Sequence, residues 1–144
     1  MKNSKFLVAA LVVFVVSMVL SFLNYGLLLK DFYRANAGIA DDIYPQVFRA
    51  EDQMNWGAGI LSGIASTLLL TSILVWGNFN STAAGARAGA IVCILVGMTI
   101  DFGMMSFLNI FTVTGGVVDI AVNGVIGAIA GACGGMVLGK GTSA

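Results

Sequence analysis

The chain has no histidine, a single proline and only two cysteines in 144 residues. Histidine is the commonest side chain for proton transfer near neutral pH and a frequent metal ligand, so its absence removes the usual centre of many enzymes. Cys93 and Cys133 lie in separate apolar runs and form no cluster of metal ligands. There is also no phosphate-binding loop and no nucleophile–base pair at a recognisable spacing. We therefore expect no catalytic residues, no metal and no cofactor.

Charged residues are scarce as well. They make up 10% of the chain, hydrophobic residues make up 58%, and the mean hydropathy is +0.96. Soluble domains carry about 25% charged residues, so a chain this apolar is expected to lie in lipid. The seven basic and seven acidic residues cancel, and the basic residues are scattered. Because nucleic-acid binding needs a basic patch or stripe, no nucleic-acid partner is expected.

Four apolar segments are long enough to cross a bilayer, which takes about 20 residues of helix. Their approximate bounds are 6–29, 56–76, 83–108 and 117–138. Trp56 and Trp76 bound the second segment as interfacial aromatic residues do, and Gly115-Gly116 is expected to break the chain before the fourth. The sequence predicts an all-α membrane protein, a four-transmembrane-helix up-down bundle that forms one domain over residues 1–144.

The orientation is predicted from the distribution of lysine and arginine. With four spans, the two termini and the second loop share one side of the membrane. That side carries four basic residues, Lys2, Lys5, Arg87 and Lys140, and the other side carries three, Lys30, Arg34 and Arg49. The excess predicts cytoplasmic N- and C-termini. The first segment is longer than the apolar core of a signal peptide and no small-x-small cleavage site follows, so we expect it to be retained.

Residues 30–55 form the only substantial segment outside the spans, expected on the extracytoplasmic side. The first helix is predicted to continue to Asn36 and to end at Gly38. A short interfacial helix is predicted over residues 45–53, with Asp41 or Asp42 as its N-cap. This first loop is interpreted either as a solvated connection, or as a lid or a docking surface for a partner.

Small residues recur every four positions in the last two spans. The third span has Gly85, Gly89, Cys93 and Gly97, and the fourth has Gly127, Gly131, Gly135 and Gly139. Residues four apart lie on one face of a helix. In lipid, where apolar side chains give no drive for association, small residues favour helix contact by letting backbones approach closely. The two series are predicted either to meet within one chain or to form a seam between copies in an oligomer.

Asp101 and Asp119 are the acids inside the predicted spans. Asp101 continues the small-residue series, which places it on the packed face about 10 Å below the end of its span. An acid in a transmembrane helix is costly and indicates a functional site. The candidates for an ion site or polar network at this end of the bundle are Asp101, Asp119, Asn24, Tyr25, Asn123 and Arg34.

Three interpretations of these candidates stay open. They form a structural network, an ion or proton site, or a pocket for a small ligand or lipid headgroup. In the first case Asp101 is ionised against a cation such as Arg34, and in a proton-linked site it is protonated.

The number of spans, the polar–aromatic–glycine run Asn24-Tyr25-Gly26 and the glycine-rich last span resemble small uncharacterised four-span bacterial membrane proteins. The resemblance covers most of the chain. It implies a location in the bacterial inner membrane and implies nothing about an activity.

The sequence favours a non-catalytic structural or accessory subunit in the bilayer, either as a homo-oligomer or within a larger membrane complex. The alternative is an oligomeric channel or transporter with a proton or cation site at Asp101 and Asp119.

Overall fold

The computed structural model describes residues 2–140, and its regular structure in that range is helical. The elements are α1 (Lys2–Ser21), a π-helical segment (Phe22–Leu28), α2 (Lys30–Ala35), α3 (Tyr44–Val47), a 3₁₀ turn (Glu51–Gln53), α4 (Trp56–Trp76), α5 (Thr82–Met105) and α6 (Val113–Gly139). Four helices are long and apolar enough to cross a membrane: Ser4–Leu28, Trp56–Trp76, Thr82–Met105 and Val113–Gly139. The predicted all-α four-helix membrane fold is confirmed.

The start of α6 differs from the prediction, because Gly115 and Gly116 lie inside the first turn of the helix. Thr112 is the N-cap, and its Oγ1 accepts a hydrogen bond from the Gly115 amide at 3.1 Å. Both glycines are buried, and a Cβ on Gly116 would lie only 2.8 Å from Cε of Met105. The expected chain break is wrong, because these glycines serve close packing and the helix begins at a cap.

The end of α5 also differs from the prediction. The helix ends at Met105, three residues before the predicted 108, and the Ser106 hydroxyl donates to the Gly103 carbonyl at 2.7 Å. Asp101 therefore lies four residues from the end of the helix. At 1.5 Å of rise per residue this is about 6 Å, which is shallower than the predicted depth.

The helices at and within the first loop are shorter than the sequence predicted. The first helix is interrupted at Leu29 before α2, and α3 covers only Tyr44–Val47. The N-cap of α3 is Ile43, which makes no side-chain capping bond, so the expected aspartate cap is wrong. Asn36 ties the loop to α6, because its carbonyl accepts from the Thr112 amide at 3.0 Å and its Oδ1 accepts from the Thr112 hydroxyl at 3.1 Å.

The most extensive contact between helices is that of α5 with α6. Gly85 lies against the backbone of Gly131, and Gly89 lies against that of Gly127. A Cβ on Gly89 would lie 2.8 Å from the carbonyl carbon of Gly127, far inside van der Waals contact. Within one chain, the structure places most of the two glycine series against each other. Gly135 meets Ser81 and Gly85.

Gly97 of the first series and Gly139 of the second have other neighbours. A Cβ on Gly97 would make an ordinary contact at 3.5 Å with the Ile120 side chain, and one on Gly139 would lie 3.2 Å from the carbonyl carbon of Asn80. The tight backbone contact therefore runs from Gly89 toward the start of α5.

The bundle is packed unequally along its length. We call the end where α1 begins and α6 ends the terminus end, and there the Lys5 ammonium donates to the Lys140 carbonyl at 2.7 Å. The opposite end is the first-loop end. The buried core lies toward the terminus end and comprises Val13, Leu70, Leu74, Ala88 and Ala130. Toward the first-loop end α4 separates from the bundle, since all its residues from Trp56 to Ser66 except Gly63 are exposed.

Replacing Gly89 with alanine tests the backbone contact of α5 with α6. The added Cβ meets backbone atoms of Gly127 and Gly131, which cannot move aside as a side chain can. We expect Gly89→Ala to lower the free energy of unfolding by about 1–3 kcal/mol, as overpacking does. Reversible unfolding in mixed detergent micelles measures this change.

Gly103→Ala is the matched control on the same helix, because no described residue beyond the adjoining helix backbone comes within 4 Å of the Cβ position there. It should keep or slightly raise the stability, since alanine is the better helix former. Equal stability of the two variants would contradict the close approach.

Candidate functional site

A cavity of about 390 Å³ lies between α1, α4, α5 and α6 in the half of the bundle toward the first-loop end. It forms where α4 stands away from the bundle and where small residues such as Gly59, Gly63 and Gly97 leave space. Its polar lining consists of Ser17, Ser21, Ser62, Ser66, Asp101, Asp119 and Asn123. The cavity therefore combines carboxyl, amide and hydroxyl groups within a bundle whose outer surface is apolar.

Asp101 and Asp119 bring two carboxyl groups to the cavity from neighbouring helices. The Asp101 side chain is only 6% exposed. Its Oδ2 is buried and has no hydrogen-bond partner among the described residues. The carboxyl groups of the two acids interact with each other. A Cβ on Gly116 would lie 3.8 Å from Cβ of Asp101, so the glycine leaves room for Asp101 beside α6.

Asn123 holds the Asp119 side chain in place. Its Nδ2 donates to Asp119 Oδ2 at 2.7 Å and to the Asp119 carbonyl at 3.1 Å. The two residues are four apart, so they lie on the same face of α6. Asp119 is thus fixed by its own helix, whereas no N–H or O–H group of the described residues donates to the buried Oδ2 of Asp101.

Two tyrosines, Tyr25 and Tyr33, add hydroxyl groups to the cluster formed by the two acids and Asn123. Tyr25 comes from the π-helical segment, a form that often occurs at functional sites, and its hydroxyl interacts with Asp119. Its ring lies 5.3 Å, centroid to centroid, from that of Tyr33 in α2. The Tyr33 hydroxyl is buried and finds no hydrogen-bond partner within the described part of the chain. Loss of hydration, and then the charge of Asp119, raises the pKa of Tyr33 above that of a free tyrosine.

Two of the predicted site residues lie elsewhere. The Arg34 side chain is exposed, and its Cζ lies 5.5 Å from the centroid of the Tyr44 ring. Arg34 is therefore not the counter-ion of Asp101 that the sequence suggested, because the first loop holds it over α3. Asn24 donates to the Leu20 carbonyl at 2.8 Å, which satisfies its amide within its own helix. The structure brings together four of the predicted site residues, which are Asp101, Asp119, Asn123 and Tyr25.

The sequence interpretation missed the serines and Tyr33. Ser17 and Ser21 lie on α1, and Ser62 and Ser66 lie on α4. Each pair is four residues apart and therefore shares one helix face, which is the signal that could have revealed them. Over the described residues, no group of three or more histidine, cysteine, aspartate or glutamate side chains could hold a metal ion.

The cavity opens sideways between α4 and α5. The lining of the cavity includes Leu69, Val96 and Ile100, which are also 45%, 37% and 52% exposed. These apolar side chains lie on the surface that lipid would cover, so the opening faces the bilayer. The core at the terminus end closes the other end of the space.

No protein-family model, curated protein or solved structure matches this chain. The resemblance to small four-span bacterial membrane proteins stays a prediction.

Tyr33 gives a test of the cluster by titration. Its raised pKa predicts that the hydroxyl ionises above the ordinary value of about 10. The unfolded chain then loses this proton first, so the folded state should lose stability as the pH rises above about 10. The tyrosinate absorbance in detergent micelles, taken as the difference between the wild type and Tyr33→Phe, measures this ionisation.

Asp119→Asn should lower the pKa of Tyr33 in the same titration, because the neighbouring negative charge is removed. Ionisation of Tyr33 at the ordinary tyrosine value in the wild type would show that its hydroxyl is hydrated and distant from Asp119.

Proposed function

We propose that this chain binds a proton or cation at Asp101 and Asp119 and acts as the unit of an oligomeric channel or transporter. The observation that carries the proposal is Asp101, a residue only 6% exposed whose buried Oδ2 accepts no hydrogen bond from the described residues, on the wall of a cavity that holds a second acid. We further propose that the protein lies in the cell inner membrane with cytoplasmic termini, as the lysine and arginine distribution favours.

The electrostatics of the acid pair support this proposal. Removing a carboxylate from water costs several kcal/mol unless it is paired. Two neighbouring carboxylates repel each other in addition, and the charge that acts on Asp101 is that of Asp119. A proton shared by the pair, or a cation bound between the two groups, removes both costs. Since Arg34 lies over Tyr44, the positive charge is proposed to come from outside the chain.

The unequal packing supports a transport role. The cavity is open between α4 and α5 and is closed toward the terminus end by Val13, Leu74 and Ala130. Transport requires that the site later open to the other side. We propose that α4 makes this movement, because it contacts the other spanning helices least and its residue Leu74 belongs to the core that closes the terminus end.

A single bundle of four helices is too narrow for a wide pore, so an oligomer is proposed. The tight glycines of α5 and α6 are already used within the chain. The face of α4 that carries Gly57, Ala58 and Leu61 is exposed and lies outside the cavity lining, so it is proposed as the contact between copies.

The same face favours a second candidate, a non-catalytic accessory subunit of a larger membrane assembly. Gly57 and Ala58 bring small residues to the outer face of α4, which is exposed in the single chain and lies outside the cavity lining. Faces of this kind favour close helix contact in lipid. A helix of another protein, and not a copy of this chain, would then cover it.

Asp101→Asn tests the proton or cation site. In the wild type, a change of pH should change the infrared band of protonated carboxyl groups, and proteoliposomes should pass protons or a monovalent cation. Asn keeps the size and hydrogen bonding but cannot bind a proton or a charge, so most of this flux and the Asp101 part of the band should be lost.

Asp52→Asn is the control for this test, because Asp52 is exposed in the first loop. It should leave the flux unchanged. A helical, monodisperse Asp101→Asn protein with wild-type flux would contradict the proposal and favour a structural network.

Native mass spectrometry of the protein extracted in lipid separates the two candidates. An oligomeric transporter should appear as a homo-oligomer of one fixed size. An accessory subunit should appear in a fixed ratio with a larger protein. A second variant, Ala58→Leu, should weaken either assembly, whereas Leu61→Ile on the same exposed face should not.

A further inference from the structure

We propose that the cavity binds a hydrophobic organic amine. Its ammonium group lies between Asp101 and Asp119, and its apolar part lies along Phe14, Met18 and Ile100. This inference rests on the proposed function, because it needs the acid pair to accept a positive charge, and it names the class of ligand that brings the charge.

The size of the cavity favours an organic ligand over a bare ion. Its volume of about 390 Å³ falls in the range of small-molecule sites, roughly 300–1,000 Å³. A hard metal cation needs a compact shell of six or more oxygen ligands. Among the residues that the structure describes, no cluster of three acids, cysteines or histidines offers the start of such a shell.

The lining has the chemistry of a site for an amphiphilic cation. The two acids line the cavity from α5 and α6, and their carboxyl groups are the charge-assisted hydrogen-bond acceptors that an ammonium group needs. Phe14, Met18 and Ile100 give an apolar wall for the rest of the molecule. Binding sites of this kind combine apolar walls with a few polar groups that fix the orientation of the ligand.

The serine hydroxyls face the same space from α1 and α4. Each can both donate and accept a hydrogen bond, so they suit the polar substituents of different amines. Selectivity would then come from the acid pair, which requires the positive charge, while the remaining walls tolerate variation in shape.

The position of the opening indicates how such a ligand enters. Val96 and Ile100 stand at the gap between α4 and α5 and are exposed on the apolar surface of the bundle. A hydrophobic amine dissolves in the bilayer, and its nitrogen stays near the headgroups. Asp101 lies about 6 Å from the end of α5, at a depth that such a nitrogen reaches from the membrane. Entry is therefore proposed to be sideways, from the lipid.

The test uses dansylcadaverine, a fluorescent primary amine, with the full chain in phosphatidylcholine proteoliposomes. Trp56 begins α4 and lies one turn before Gly59 of the cavity, so energy transfer from Trp56 to the dansyl group reports binding. We expect saturable transfer in the Trp76→Phe variant, which retains Trp56 alone, and no transfer in the Trp56→Phe/Trp76→Phe double variant. The N-acetylated probe has no charge and should give only the linear signal of partition into lipid. Saturable binding of this neutral probe with equal affinity would overturn the inference.

Three variants locate the binding. Asp101→Asn should weaken the affinity by at least about 20-fold, as expected when one partner of a buried charge pair is lost. Ser66→Phe keeps both acids but fills the cavity from the exposed side of α4, and it should also abolish saturable transfer. Its control is Ala65→Phe, because Ala65 is exposed, adjacent and outside the cavity lining. Unchanged binding in Ser66→Phe would overturn the assignment to this cavity.

The infrared carboxyl band distinguishes this inference from the proposed function. Loss of dansylcadaverine binding in Ser66→Phe, with a carboxyl band that still responds to pH, supports both. A wild type that shows the responsive band but no saturable amine binding overturns the organic ligand and leaves the proton or cation site in place. A wild type that shows neither overturns both.

Discussion

The backbone contact between α5 and α6 is the constraint on which the rest of the structure depends. Gly85 and Gly89 lie with their backbones against those of Gly131 and Gly127, and the Cys93 side chain packs on Gly127 as well. In lipid such contact is favourable because dispersion and weak Cα–H···O bonds accumulate where backbones meet, while lipid tails supply no hydrophobic drive. With α5 and α6 fixed at this distance, Asp101 and Asp119 are held within interaction range of each other farther along the same pair.

The acid pair lies at the end of the bundle where α4 stands away from the other helices. Closing α4 onto the cavity would place Leu69 and the serines of α4 over two carboxyl groups with no cation beside them. An open, partly polar cavity lets water or a ligand meet the carboxyl groups. The terminus end has no such requirement, so Val13, Leu74 and Ala130 pack there without space. Unequal packing along the bundle thus follows from where the acids lie.

Much of the fold could be predicted because span length and hydropathy are local properties. Trp56 and Trp76 bound α4 as expected, and all four spans are present. The errors concern residues whose role depends on a distant neighbour. Gly115 and Gly116 have the composition of a chain break, yet Asn36 and Met105 pack on them inside a helix. Arg34 carries the right charge for Asp101, but a ring in α3 holds it elsewhere.

The sequence by itself determined that four helices suit a membrane, that small residues line one face of the last two, and that two acids lie within the spans. These follow from residue type and helical period alone. Only the tertiary structure decided which faces meet, that Asn24 bonds to its own helix, and that four serines and Tyr33 join the acids around a cavity. The rotation and separation of helices depend on the sum of many weak contacts between distant segments, and no local pattern in the chain fixes that sum.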